Sequence, residues 1–316
     1  MFGTLRLALA ILVLLSHTGL SLGPFEIGNA AVVVFFVISG YAITGLLATR
    51  FRAGRRLVPF CCERFVRLAP QYYLWLAAAA LVYFGLGWGR LDTSGFIPYG
   101  LLAYLTVVPL GLQGYTGTVD TWLMSQASTL GVEITFYGAA LWLVGSRGAS
   151  LGCGLACLGV FVATDLGALP PGLYTYYTSP GPLPLFVAGS FLYRRDWVAL
   201  AALGVPFLCV LAFAPSVPFN KEFLLGALLG VPGVALLARV KPRAGDARLG
   251  DASYGCYLGH ITLNTCILHL AGAGAEGFTP GLRALAVLAG AAGGYAGYLL
   301  VERPTVACRR RIGATR

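Results

Sequence analysis

Residues 6–17, Arg6-Leu7-Ala8-Leu9-Ala10-Ile11-Leu12-Val13-Leu14-Leu15-Ser16-His17, decide the fold. A cation and an imidazole bracket ten residues, of which nine are apolar. Eleven positions at ~100° each come to about three helical turns, so both side chains lie on one helix face. They stand roughly 16 Å apart along the axis, about half the hydrocarbon thickness of a bilayer. The apolar run over 5–22 therefore reads as a first membrane helix with Arg6 near one surface and His17 deep. An ionisable group at that depth marks function by default. The plainer alternative is a histidine satisfied by a neighbouring helix.

Composition extends this reading to the whole chain. Of its 316 residues, 58% are hydrophobic and only 11% are charged, against about a quarter charged in soluble domains. Eleven apolar stretches follow one another, and no polar region is long enough for a soluble domain. The expected fold is all-α, a polytopic membrane helical bundle. A secretory leader is not expected at the start: Arg6 is the only basic residue ahead of the run, and no convincing cleavage site precedes Glu26. The net charge of +10 sits in short loops and the tail, as the positive-inside rule describes, so no nucleic-acid partner is implied. The eight cysteines lie mostly in apolar segments, read as small buried hydrophobes, and show no zinc spacing.

The second stretch, about 28–49, carries Ser39-Gly40, which suits close helix approach. Residues 50–67 form the strongest basic loop, with Arg50, Arg52, Arg55, Arg56, Arg64 and Arg67. Arg64 and Arg67 are three apart and share a face at the start of the third stretch, 68–88. Two guanidinium forks there suit bidentate phosphate binding, or simply orientation and headgroup contact. The remaining stretches run at about 97–112, 128–145, 150–168, 182–193, 197–213, 222–239, 249–271 and 281–301. Glu133 lies inside the fifth, where a carboxylate must be paired or useful. The loop with Tyr174, Tyr176 and Tyr177 reads as an interfacial aromatic belt rather than a sugar platform. Keeping Arg64, Arg194-Arg195, 239–248 and the tail on one side requires an even number of spans between 67 and 194. One of the five stretches there, 97–112 or 182–193, is then not a full span. This gives ten spans with both termini cytoplasmic: a membrane domain over 1–304 and a basic cytoplasmic tail over 305–316.

At these same residues the chain resembles the membrane-bound acyltransferase 3 family, integral membrane proteins that typically O-acylate carbohydrates. Arg6 through His17 is similar to its Arg, ten residues, His signature. Val34-Phe35-Phe36-Val37-Ile38-Ser39-Gly40-Tyr41 resembles its second-helix segment, and Arg64-Phe65-Val66-Arg67-Leu68-Ala69-Pro70 its Arg-x-x-Arg-x-x-Pro entry to helix three. Thr129-Leu130-Gly131-Val132-Glu133 with Phe136-Tyr137 resembles a further motif. Ser253-Tyr254-Gly255-Cys256-Tyr257-Leu258-Gly259-His260 is similar to its Ser-Tyr-x-x-Tyr-x-x-His helix, and Glu302-Arg303-Pro304 to its closing Glu-x-Pro. The matches run in order from 6 to 304. Ser128 stands where many members have tryptophan, and Ile134 replaces an acid sometimes found after the Glu.

The resemblance implies transfer of an acetyl or other short acyl group to a carbohydrate or glycolipid hydroxyl. The donor is acetyl-CoA or another acyl-CoA, used as a substrate with no bound cofactor. The setting is a lipid bilayer, the bacterial inner (cytoplasmic) membrane. His17, with an ordinary pKa near working pH, is the expected general base. Glu133 either orients His17 or binds the acceptor hydroxyl. Arg6 stabilises developing negative charge or binds the donor, and Arg64 and Arg67 suit the coenzyme A phosphates. His260, Ser39 and Tyr137 are expected to line the site. The same buried Arg, His and Glu would also serve a transporter or flippase of a lipid-linked sugar or acyl group.

Overall fold

A computed structural model describes residues 2–51, 57–89, 98–112, 115, 123–273 and 277–306. Arg52, Arg55, Arg56 and the tail beyond Val306, with Cys308, lie outside them. Eleven helices among the described residues correspond to the eleven apolar stretches. They are α1 (Phe2–Ser16), α2 (Ile27–Thr49), α3 (Leu57–Ala80, continued by a π-helical turn over Leu81–Gly85) and α4 (Pro98–Thr106). There follow α5 (Ala127–Leu143), α6 (Arg147–Asp165), α7 (Leu183–Arg194) and α8 (Trp197–Phe213). The last are α9 (Asn220–Leu237), α10 (Asp246–Leu270) and α11 (Pro280–Gly297, running on through Thr305 in π and 3-10 turns). The described residues contain no strand, only isolated bridges such as Leu22 with Phe25.

Two boundaries differ from the sequence reading, and both matter. α1 stops at Ser16, not near residue 22. Gly19 (φ 80°) and Gly23 (φ 59°) adopt left-handed conformations that glycine tolerates and a helix cannot continue, and Pro24 follows. His17 closes the last turn, its N–H donating to the Val13 carbonyl at 3.1 Å. At 15 residues α1 is about 22 Å long. His17 is therefore at the end of a helix rather than inside one that continues to residue 22, and it is exposed. α3, in turn, begins at Leu57, so Arg64 and Arg67 lie two turns inside a helix rather than in a basic loop.

α2, 58–85, α6, α9 and 280–305 are long and apolar enough to cross a membrane, and α1, α7 and α8 are shorter apolar helices. Both candidates for an incomplete span are short: α4 has nine residues and α7 twelve, against the ~20 that crossing needs. α7 is buried from Pro184 to Leu192, so it is an interior helix. The outer surface presents Phe213, Leu166, Val198, Leu300 and Trp142, a face suited to lipid rather than water. Because outside and inside are both apolar, cysteine type does not report burial here. Cys256 is buried, whereas Cys61, Cys62 and Cys209 are exposed.

α2 forms the centre, packed by α1, α7 and α9 and in contact with α5. Gly40 lies against the Phe186 backbone, and Gly189 of α7 against the Val37 carbonyl, so close that a Cβ at either would overlap main-chain atoms. On the other side α10 packs α1 and α11, with Gly294 seated on the backbone of Ala252 and Cys256. Asp246, ahead of the apolar run of α10, caps α1. Its carboxylate accepts from Thr4 N–H at 2.9 Å, Thr4 Oγ1 at 2.7 Å and Gly3 N–H at 3.2 Å. The Thr4 amide chiefly holds its pKa below the usual aspartate value.

Two expectations follow. Gly189→Ala should cost about 1–3 kcal/mol through overpacking, seen as a lower thermal midpoint in detergent. Gly204→Ala on α8, where a Cβ meets nothing within 4 Å, should be neutral or slightly stabilising. Equal midpoints for the two variants would remove the close-approach account. Asp246→Ala should cost about 1 kcal/mol as a lost cap. Since the folded pKa is depressed, the carboxylate's contribution is complete above the unfolded value of about 4 and is lost as pH falls through the folded one. The gap between wild type and Asp246→Ala should therefore narrow below about pH 4, and a gap independent of pH would contradict this.

Candidate active site

Three helices carry charge to one place, and two more wall it in. Arg6 of α1, Ser39 of α2, Arg64 and Arg67 of α3, and Glu133 and Tyr137 of α5 line one chamber of about 120 Å³, closed on its fourth side by Ser253, Tyr254 and Tyr257 of α10. Each ionised group but one has a counterpart. Arg64 pairs with Glu63, its Nε donating to Oε2 at 2.6 Å, and its guanidinium stands 6.0 Å from the Tyr137 ring. Arg67 pairs with Glu302 from the far end of the chain. Gln71 Nε2 donates to the same carboxylate at 2.8 Å. Glu63 and Glu302 are almost wholly buried. Glu133 accepts from Ser39 Oγ and, at 2.5 Å, from the Tyr137 hydroxyl. Arg6 faces the chamber with no ion pair among the described residues.

His17 is not in this chamber. It lines a second cavity of about 380 Å³ with Ser16, Glu26, Asn29, Ser125, Gln126, Ser128, Thr129, Tyr176, Tyr177 and Tyr257. The structure thus brings Arg6, Ser39, Arg64, Arg67, Glu133 and Tyr137 together and sets His17 apart. Glu133 does not meet it. His17 meets His260 instead, with ring centroids 5.0 Å apart. His260 is fully buried, and its Nδ1 lies 2.7 Å from the Tyr257 carbonyl. A carbonyl only accepts, so Nδ1 carries the proton and Nε2 of the neutral ring is left as an acceptor.

The tyrosine loop is not a belt at the membrane surface. Tyr176 is buried, in edge contact with Phe223, and its hydroxyl donates to Asn29 Oδ1 at 3.0 Å. Tyr177 is half-buried beside it. Sequence reasoning placed both at an interface because a tyrosine run after an apolar helix fits either site. The only hint of the inward course was the set of glycines and prolines that turn the loop. Glu26 and Asn29 were also missed as lining residues. They follow a turn that an uninterrupted first helix would have absorbed.

Comparison with known proteins gives these two chambers a context. The acyltransferase domain family matches residues 3–301, so it takes in every residue named in both chambers except Glu302 beneath Arg67. The exopolysaccharide production protein ExoZ of Rhizobium meliloti (strain 1021) is 30% identical over 299 residues, covering 89% of this chain and 90% of the relative. No solved structure matches. On the extent of the family match and of this similarity, the chain belongs to the acyltransferase 3 family and is a membrane acyltransferase.

Proposed function

We propose that the chain is an acyl-CoA-dependent O-acyltransferase that moves an acetyl or other short acyl group to a hydroxyl of a polysaccharide or lipid-linked glycan. It would act in the cytoplasmic membrane of a bacterium, with ten spans and both termini inside. The observation that carries this reading is the division of labour along α1. An arginine chamber lies at its start and a histidine chamber at its end, and the two share a wall. The relative's role in exopolysaccharide production supports a carbohydrate acceptor.

In this reading the arginine chamber faces the cytoplasm, where acyl-CoA is made. Arg64 and Arg6 bind its phosphates, and Arg67 is held in place by Glu302. Glu133 tethers Ser39 and Tyr137 and balances the arginines, so its role is positional. The acceptor sugar enters the histidine chamber, where Tyr177 offers a ring face and Glu26, Asn29 and Gln126 offer hydrogen bonds to hydroxyls. As the acceptor oxygen attacks the thioester carbonyl, its proton passes to His17, the C–O bond forms and the C–S bond breaks. The proton then returns to the departing thiolate, leaving the ester and coenzyme A as thiol. A base near its working pKa contributes about 10²–10⁴ in rate. Ser128, where a tryptophan would fill the chamber, leaves room for the acceptor.

Membranes bearing the protein, given labelled acetyl-CoA and a mixed glycan extract, should place label in an alkali-labile ester. His17→Ala should lower this by about 10²–10⁴, and equal labelling would remove the base assignment. No labelling from any acyl-CoA would favour a carrier without transfer chemistry. Arg64→Ala should raise the apparent KM for acetyl-CoA about tenfold, corresponding to about 1.4 kcal/mol. Ser128→Trp should raise the KM for the acceptor and leave that for the donor in place. A donor effect instead would place the acceptor elsewhere.

A further inference from the structure

Three residues line both chambers: Val32 of α2, Thr129 of α5 and Tyr257 of α10. They are the partition between the arginines and His17. Thr129 Oγ1 lies 2.8 Å from the Gln126 carbonyl and 2.5 Å from the Tyr257 hydroxyl. A threonine hydroxyl has one proton, and a carbonyl can only accept. The threonine proton therefore goes to Gln126, and the Tyr257 phenol donates to Thr129. The phenol also reaches the Gln126 carbonyl at 3.4 Å. The root of Tyr257 is held as firmly as its tip, since its carbonyl accepts from His260 and its ring meets Phe35 edge-on at 5.7 Å. Val32 presents a buried β-branched side chain on the third side. The partition is thus one aromatic ring pinned across a gap between three helices.

We propose that Tyr257, latched to Thr129, is the specificity-determining barrier that the acyl thioester must pass to reach His17, and that the aperture beside its ring sets the length of acyl group transferred. This rests on the function proposed above. The donor's charged end and the base lie on opposite sides of the partition, so the reacting carbonyl must cross it while the phosphates stay among the arginines. Arg6 and His17 are about 16 Å apart along α1, which suits a long flexible arm between phosphates and thioester. The acyl group leads that arm through. Its bulk meets the Tyr257 ring, Thr129 and Val32, all held by backbone or helix packing, so each added methylene is resisted by a fixed wall.

The test measures ester formation by the full-length protein in membranes, with acetyl-, butyryl- and hexanoyl-CoA as donors. Wild type should favour acetyl strongly. Tyr257→Ala should raise the hexanoyl-to-acetyl ratio by about tenfold or more, the scale of steric discrimination in apolar pockets. The apparent KM for acetyl-CoA should stay near the wild-type value, because the phosphate contacts are elsewhere. Tyr257→Phe keeps the ring and should keep the wild-type ratio even where its rate changes. Thr129→Ala trims the opposite side of the gap and should also raise the ratio, which keeps the test open if Tyr257→Ala does not fold. A ratio unmoved by Thr129→Ala and by any folded Tyr257→Ala protein overturns the barrier while leaving the transferase reading intact. Absence of transfer from every donor by wild type overturns both.

Discussion

A guanidinium or carboxylate within an apolar bundle is tolerated only when its charge is answered, and that constraint organises this molecule. Arg67 is answered by Glu302, 235 positions later in the chain. Arg64 is answered by its own neighbour Glu63, and Glu133 by the hydroxyls of Ser39 and Tyr137. Each pairing joins elements that apolar packing alone would leave free to slide. The Arg67–Glu302 pair ties the end of α11 to α3, and Gln71 one turn further along α3 fixes the carboxylate's orientation. Removing either partner would strand a buried charge, a larger loss than the pair itself contributes.

Charge neutralisation also sorts the arginines. Arg67 is committed to the fold by its pairing with Glu302. Arg64 sits between a carboxylate and the Tyr137 ring. Arg6 has no such partner among the described residues, although it lines the same small chamber. Glu133 is the carboxylate in that lining, so with Glu63 and Glu302 the three arginines are matched by three carboxylates, and Arg6 is balanced across the chamber rather than by a contact. The two chambers differ in this respect. The histidine chamber has Glu26, hydroxyls, amides and tyrosines but none of the arginines, a lining that suits a neutral polyhydroxylated guest better than a phosphate.

Much of this was legible in the sequence, for identifiable reasons. Apolar run length gave the eleven helices named among the described residues, and the ends of α8 coincide with the reading because Asp196 and Pro215 bracket it in a plain way. Ser39-Gly40 announced the close approach of α2, and Gly40 makes it against α7 while Ser39 turns to Glu133. Arg6, Arg64, Arg67 and Glu133 converge on one chamber because several charged groups in an apolar chain have few places to be neutralised together. What escaped was the end of α1. Leucine content argued for helix through residue 22, whereas glycines at 19 and 23 ended it. That error of about a turn and a half placed His17 within a helix rather than at its end, and hid Glu26 and Asn29 from view. The pairing of Glu302 with Arg67 was likewise invisible, since no local periodicity relates residues so far apart. The tyrosine loop was misplaced because burial of a polar aromatic depends on the neighbours it finds.

The early end of α1 sets His17 beside the turn that brings Glu26 and Asn29 to the same cavity. A helix continued to residue 22 would keep Arg6 and His17 about 16 Å apart along the axis but would carry the chain past that turn. At about 22 Å the helix ends inside the protein, with water-accessible space at the histidine and a basic chamber at the arginine. Asp246 caps its start, and the Gly19–Gly23 turn terminates it, so both ends are fixed by local chemistry rather than by the membrane. Between the two chambers stand Val32, Thr129 and Tyr257, which line both. The Tyr257 ring, hydrogen-bonded to Thr129, separates two linings of different chemistry, one basic and one rich in hydroxyls and amides.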